Sequence, residues 1–479
     1  MKALVRILSI ILLLVAGPAW ADWPSGSAAL GARDHPKVLQ RFNGEVQNPA
    51  VSDYVARIGM GLVMVSTHPD DDWRFTVLDS GEVNAFALPG GYVYVTRGLL
   101  ALVNSEAELA AVLAHEITHV VEAHVEARQK AQKDALLSGA LNALATGIFG
   151  GGENRLNEAV RSGVETAFGQ MGSYSKAQEF AADAGGIELL RLAGYQPRAQ
   201  ADFLASMAAN ARLKARAAGR EYDEAGAPIF ATHPAPAERQ ARALELAGGA
   251  DGRLGRETYL MMIDGMVYGG SARGGYVDGQ VFIHPELGFT FEAAPGLRVQ
   301  NRASQINILG PGRATLIMTG APDTGDLMDA LRGWAAQVPR NQRRSNRLED
   351  LRRVEINGLE AASGILRIRQ RGQRYDLRMT VIRFNDRLIR FAGKTRRGDR
   401  EAADLQWQTL TSFQTLENGA GQVAERYVTL HRVEPGDSVA SLAARMEVQG
   451  FQREWFLVLN GMNVTDRVVP GMLVKLIGA

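Results

Sequence analysis

Cysteine is absent from the 479 residues, which excludes a disulfide scaffold, a thiol nucleophile, Cys-type zinc fingers and a lipid anchor carried on Cys. Any metal must be held by His, Asp or Glu. An excess of either charge is missing too: 53 Lys+Arg stand against 52 Asp+Glu, a formal net charge of +1. The basic footprint of a nucleic-acid binder is therefore lacking, and nucleic acid is not an expected partner. Fixed-period self-similarity is not found, which argues against a helical-repeat array. What is present, 46% hydrophobic and 22% charged residues, suits a folded chain of about three domains at roughly 150 residues each.

Lys2 and Arg6 precede the apolar run Ile7–Ala16, and Gly17-Pro18-Ala19-Trp20-Ala21 offers small residues for cleavage. This is the build of a secretory signal peptide over 1–21, too short for a comfortable membrane span. It predicts an exported, periplasmic protein. Residues 22–248 are Ala-rich and helical in pattern, ending in the Gly-rich break Ala247–Gly252. Residues 254–420 read as alternating strands dense in Arg, and a second break, Asn418–Gln422, precedes a compact piece over 425–479.

Two capping devices place the helices that matter. Ser105-Glu106-Ala107-Glu108 opens a helix expected to run past His124, and Ser175-Lys176-Ala177-Gln178 opens another that continues to Gly194. Inside the first lies His115-Glu116-Ile117-Thr118-His119. Four residues is little more than one helical turn, so both imidazoles project from one face and can hold one zinc ion per chain. Zinc lowers the pKa of a bound water, and Glu116 is placed to take its proton for attack on a carbonyl.

A third ligand is needed. The metzincin spacing fails, because Glu122 and Val125 stand where Gly and His would be required, and His124 falls off that spacing and reads as a surface residue. The better candidate is Glu179 on the second helix. Asp183, one turn on, can accept the outer N–H of a ligand His, and Ala181, Ala182, Ala184, Gly185 and Gly186 let two helices approach closely.

His115-Glu-x-x-His119, Glu179-x-x-Ala-Asp183 and the run Asn84–Leu100 (NAFALPGGYVYVTRGLL) together resemble the zinc metallopeptidases of the HtpX and CAAX-prenyl-protease family, and within it the soluble exported BepA-like branch. The resemblance covers about residues 35–245. It implies a mainly helical gluzincin-type domain with a small edge sheet, Glu179 as third zinc ligand, Glu116 as general base and Asp183 as an orienter of a ligand histidine. Thr232-His233-Pro234, followed by Arg239, resembles a His-Pro segment of that family, with His233 either donating to the oxyanion or occupying the open zinc position. The chain lacks both the transmembrane helices of the membrane-bound members and the helical repeats of soluble ones.

Tyr92–Val95 follows the Pro89-Gly90-Gly91 turn and has strong β propensity. As an edge strand beside the zinc it would receive an unfolded polypeptide by main-chain hydrogen bonds. Residues 135–152 carry no charge but a polar stripe at Ser138, Asn142 and Thr146, which suits a lid near the cleft or contact with a membrane surface.

Between Arg340 and Arg400, 18 Lys+Arg face 7 Asp+Glu, with Arg367, Arg369 and Arg371 on one strand face and Leu366 and Ile368 on the other. An anionic surface partner and an ordinary solvated sheet face are both open. His284–Phe291, then Pro295-Gly296, weakly resembles the opening of PsbP-like α/β modules. Tyr427–Ser438, Leu457–Asn460 and Val469–Leu476 make a strand, helix, helix, strand unit similar to LysM domains, which implies peptidoglycan binding by loops after Asp437 and around Asn460.

The expected fold is thus an α+β multidomain chain: metallopeptidase, middle α/β (PsbP-like) and small βααβ (LysM-like) units. The expected function is an exported zinc endopeptidase hydrolysing misfolded or unassembled envelope proteins, with the outer-membrane assembly machinery as a partner. The rivals are a peptidoglycan-tethered adaptor or chaperone-like scaffold with a non-catalytic metal site, and a cell-wall amidase.

Overall fold

The computed structural model describes residues 26–128, 130, 174–219, 221–222, 233, 236–302, 305–310, 315–338, 347–370, 372–416 and 425–478. The expected signal peptide, the 135–152 segment and Arg371 lie outside them.

The first unit opens with helices α1 (Ser27–Arg41) and α2 (Pro49–Val63), then strands β1 (Arg74–Leu78), β2 (Ala85–Leu88) and β3 (Tyr92–Thr96). Helices α3 (Arg97–Leu102), α4 (Glu106–Val121), α5 (Lys176–Leu192), α6 (Ala199–Ala217), α7 (Pro236–Ala247) and α8 (Arg256–Ile263) follow. The three strands lie in the order β1-β3-β2, so Tyr92–Thr96 is central rather than an edge: it pairs parallel with β1 and antiparallel with β2. Period-2 alternation sorts its faces. Val93 and Val95 join the main core with α4, while Tyr92 and Tyr94 join a smaller cluster with Phe86 and Leu88, against which Val38 and Leu39 of α1 pack. The edge strand beside α4 is β2.

The middle unit holds β4 (Val267–Tyr268), β5 (Tyr276–Asp278), β6 (Val281–His284), β7 (Phe289–Glu292), β8 (Arg298–Arg302), β9 (Gln305–Leu309), β10 (Thr315–Pro322), α9 (Leu327–Ala336), β11 (Glu349–Ile356), β12 (Leu359–Gln370), β13 (Gln373–Phe384), β14 (Arg387–Arg396), α10 (Arg400–Thr411) and β15 (Gln414–Thr415). Seven strands make one antiparallel sheet in the order β11-β12-β13-β14-β10-β9-β8. Leu366 and Ile368 pack with Leu327 and Leu331 of α9, whereas Arg367 pairs with Glu349 at 2.5 Å and Arg369 is exposed. Arg352, Arg353 and Arg383 also meet carboxylates, those of Asp350, Asp326 and Asp323. Only Asp326 and Asp323 lie outside the Arg340–Arg400 window, so most of its positive excess remains.

The last unit runs β16 (Arg426–Arg432), α11 (Val439–Ala443), α12 (Gln452–Leu459) and β17 (Leu473–Gly478), with β16 and β17 antiparallel and β4 on the outer side of β16. It is not a bead on a linker. Val428, Phe456, Leu457, Val474 and Ile477 share one hydrophobic core with Leu99–Val103 and α4. Lys475 is fully buried, and its Nζ donates to the carbonyls of Ala101 (2.8 Å), Leu102 (3.4 Å) and Val103 (2.7 Å) at the end of α3. These are the carbonyls a helix leaves without a partner at its C-terminus.

This packing bears on two of the expectations. Asn460 is buried, its side chain bonded to the backbone of Phe456 and Lys475, and a Cβ on Gly461 would lie 3.0 Å from Asn104 Nδ2. Asn460 itself therefore faces the first unit, while Asn463 to Arg467 just after it are exposed. The break Ala247–Gly252 is pinned as well, since Arg253 N donates to Gly194 O and a Cβ on Gly252 would meet the Tyr195 backbone at 2.4 Å. As a result α8, assigned by composition to the middle unit, packs in the first core through Tyr259, Leu260 and Ile263.

Candidate metal centre

Ser105 caps α4 by accepting from Glu108 N at 3.1 Å, while the Glu108 carboxylate reaches Asn104 N rather than closing the box on Ser105. Ala107 through Val120 are all buried. Burial on every side suits a helix at the centre of a core. Helix α5 carries the full reciprocal box between Ser175 and Gln178. The two helices touch through glycine: a Cβ on Gly185 would stand 2.6 Å from Thr118 Cγ2, and one on Gly186 3.2 Å from His115 N. That closeness brings Glu179 to the two histidines.

His115 Nε2 and His119 Nε2 are 3.1 Å apart. Glu179 Oε1 is 3.4 Å from His119 Nε2, and its Oε2 is 3.7 Å from His115 Nε2. His233 enters the same group, its Nδ1 lying 3.1 Å from Glu179 Oε1 and 3.4 Å from His115 Nε2. One ligand atom from each of these four residues lies within 4.8 Å of the others, and all four residues are buried. Glu116 is 2% exposed; its Oε1 is 3.6 Å from His233 Nε2, and Oε2 has no hydrogen-bond partner among the described residues.

Asp183 Oδ1 is 3.0 Å from His115 Nδ1, the outer nitrogen of that ring. Arg239, from α7, grips the same carboxylate through Nε (2.6 Å) and Nη2 (2.7 Å) and also contacts Glu179. Gln200 Nε2 donates to Asp183 at 2.7 Å. Burial by itself would raise both carboxyls. For Asp183 the Arg239 hydrogen bonds outweigh it, and for Glu179 the charges of His233 and Arg239 do, so both are held well below the ordinary carboxylate range. Burial pushes the His119 imidazole far down, keeping it neutral.

Sequence reasoning missed three neighbours. In the sequence Arg239 simply follows the His-Pro segment; it reaches Asp183 across 56 residues, a separation local patterns do not report. Tyr174 stacks on His119, ring centroids 3.7 Å apart at 13°, and nothing but its place next to the Ser175 cap marks it. His124, read as a surface residue, is only 13% exposed at its side chain and brings Nδ1 to 3.1 Å from His119 Nδ1. The expected helix past His124 stops at Val121.

The donor set fits a divalent cation on chemical grounds. Two imidazole nitrogens face each other across 3.1 Å beside an ionised carboxylate, and a cation between them would satisfy all three as ligands. A cavity of about 30 Å³ opens beside Glu116, walled by Ala85 of β2 and by Leu99, Val112, Phe203, Leu204 and Met207.

Comparison with known proteins agrees with this geometry. Residues 49–247 match the model described as Peptidase family M48. The beta-barrel assembly-enhancing protease of Escherichia coli strain K12 is 30% identical over 200 residues, 41% of this chain and 39% of that protein. The mitochondrial metalloendopeptidase OMA1 of Schizosaccharomyces pombe is 34% identical over 146 residues, 30% of this chain and 41% of that protein. The chain thus spans about two fifths of the length of these relatives. Among solved structures, cyanobacterial PsbP from Synechocystis sp. PCC 6803 aligns at 13% identity and a TM-score of 0.24, covering 29% of this chain and 98% of that one. No helix among the described residues is long and apolar enough to cross a membrane.

Proposed function

Residues 49–247 are a peptidase family M48 domain, and from that premise we propose that this chain is a zinc metalloendopeptidase that cleaves unfolded or unassembled proteins of the cell envelope. The observation that carries the reading is the buried carboxylate of Glu116, with an unpartnered oxygen, beside a ligand set drawn from α4 and α5. A purely structural metal site needs no such base.

His115, His119 and Glu179 would hold the ion, which when bound supplies Lewis-acid polarisation of water and of an amide carbonyl. The chain's own residues do the rest. Glu116 takes a proton from the attacking water as its oxygen bonds to the carbonyl carbon. It then returns that proton to the departing amide nitrogen as the C–N bond breaks. Asp183, fixed by Arg239 and Gln200, accepts from His115 Nδ1 and so keeps the Nε2 lone pair aimed at the site.

Substrate enters as an extended strand on this reading. β2 pairs with β3 on one side, no strand among the described residues covers its other side, and Ala85 at its start also lines the cavity by Glu116. Main-chain addition to that edge tolerates varied sequence. Export to the periplasm rests on the N-terminal residues, and work alongside outer-membrane assembly rests on what the Escherichia coli relative is named for.

The test is digestion of casein by wild type and Glu116→Gln, each with its zinc content measured. The Gln variant should retain zinc and lose at least about a hundredfold in rate, the scale of a general base. Cleavage by the variant at the wild-type rate would refute the mechanism.

A further inference from the structure

His124 lies five residues after His119, and on an unbroken helix the two side chains would diverge by about 140°. They converge because α4 stops at Val121, Glu122 ends it, and Ala123 turns into the left-handed region at φ 53°. A residue with a Cβ seldom adopts that conformation. Its effect here is to bring His124 back under His119, the rings meeting edge to face at 66° with centroids 5.2 Å apart.

Two imidazole nitrogens 3.1 Å apart form a hydrogen bond only when one carries the proton. His119 turns Nε2 toward Glu179, His115 and His233. A nitrogen that is to hold a cation must be bare, which places the ring proton of His119 on Nδ1. His119 Nδ1 then donates and His124 Nδ1 accepts. That acceptance puts the proton of His124 on Nε2, and Glu122 Oε2 stands 3.2 Å away to receive it. Donors and acceptors match along the whole chain from Glu122 to His119.

We propose that His124, aimed by the left-handed Ala123, is a positioning residue that fixes the tautomer and ring orientation of His119. The two ligand histidines are then supported asymmetrically: His115 by an anionic Asp183 locked to Arg239, His119 by a neutral imidazole. The proposal rests on the zinc reading above but makes a separate claim, about binding strength and not about turnover.

The test uses the full-length protein. Zinc affinity is measured by competition with a chromophoric chelator, and visible absorption is recorded for the cobalt(II)-substituted form. His124→Phe keeps the ring's bulk and removes the acceptor; it should weaken zinc binding about 10–100-fold and shift the cobalt bands. His124→Asn, whose Oδ1 stands near the position of Nδ1, should restore both. If the Phe variant fails to fold by circular dichroism, His124→Ala takes its place under the same criteria. Wild-type affinity and spectrum in the Phe or Ala variant would overturn the proposal. So would equal losses in the Asn variant, which would make His124 a packing residue only. Failure of the wild type itself to take up zinc would overturn the metal reading, and this proposal with it.

Discussion

His233 occupies a corner that water and substrate would also need. Its Nδ1 is 3.1 Å from Glu179 Oε1 and 3.4 Å from His115 Nε2, close enough to serve as a further ligand rather than a donor waiting at the rim. Burial pushes the imidazole down, but the carboxylates of Glu179 and Glu116 outweigh it and the net shift is upward. A group in that position competes with substrate, so His233→Ala is expected to raise the rate of casein cleavage severalfold with zinc content unchanged, measured in parallel with wild type. A fall in rate would instead assign His233 to stabilising the oxyanion. That His115, Glu116, His119, Glu179 and Asp183 lie close together was legible in the sequence, because each sits at helical spacing within one of two capped segments. His124 was not, because its placement depends on one left-handed residue, Ala123, that spacing rules treat as helix.

The pair α4 and α5 is the element on which the centre depends, and the glycines of α5 set its spacing. With a Cβ on Gly185 only 2.6 Å from Thr118 Cγ2, Gly185→Val must push the helices apart or force Thr118 aside. Overpacking of this kind costs about 1–3 kcal/mol, and because it moves Glu179 relative to His119 it should also weaken zinc uptake. Urea unfolding and chelator competition on the same sample check both effects; unchanged zinc affinity would show that Glu179 does not depend on this contact. The small residues of α5 announced the close approach in advance. Strand order did not announce itself: Tyr92–Thr96 has the propensity of any buried strand, and only the parallel pairing with Arg74–Leu78 makes it central and leaves Ala85–Leu88 at the edge.

Across the whole molecule, the C-terminal unit and the peptidase unit behave as one core. Lys475 supplies the donors for the carbonyls of Ala101, Leu102 and Val103, two residues before the cap of α4. Ending the chain before Glu425 removes those donors and uncovers the apolar face around Leu99–Val103. Losing three hydrogen bonds costs about 3 kcal/mol together at about 1 kcal/mol each, so the truncated protein should melt about 6–12 °C lower than the full chain and lose zinc on mild heating. Thermal unfolding followed by circular dichroism tests this, and an unchanged midpoint would restore the picture of an independent tether. Composition shifts at Ala247–Gly252 and Asn418–Gln422 marked where the chain changes character. They carried no information on whether the flanking units share a core, since the contacts that decide it, such as Lys475 with Val103, span hundreds of residues.

Side chains from α4 and α5 jointly hold one ion in this mechanism, and metal analysis of purified wild type beside Glu179→Ala tests that most directly. One zinc per chain is expected in the wild type, with Glu179→Ala folded but retaining little or none after dialysis against a weak chelator. Full zinc content in Glu179→Ala, or none in the wild type, would contradict it.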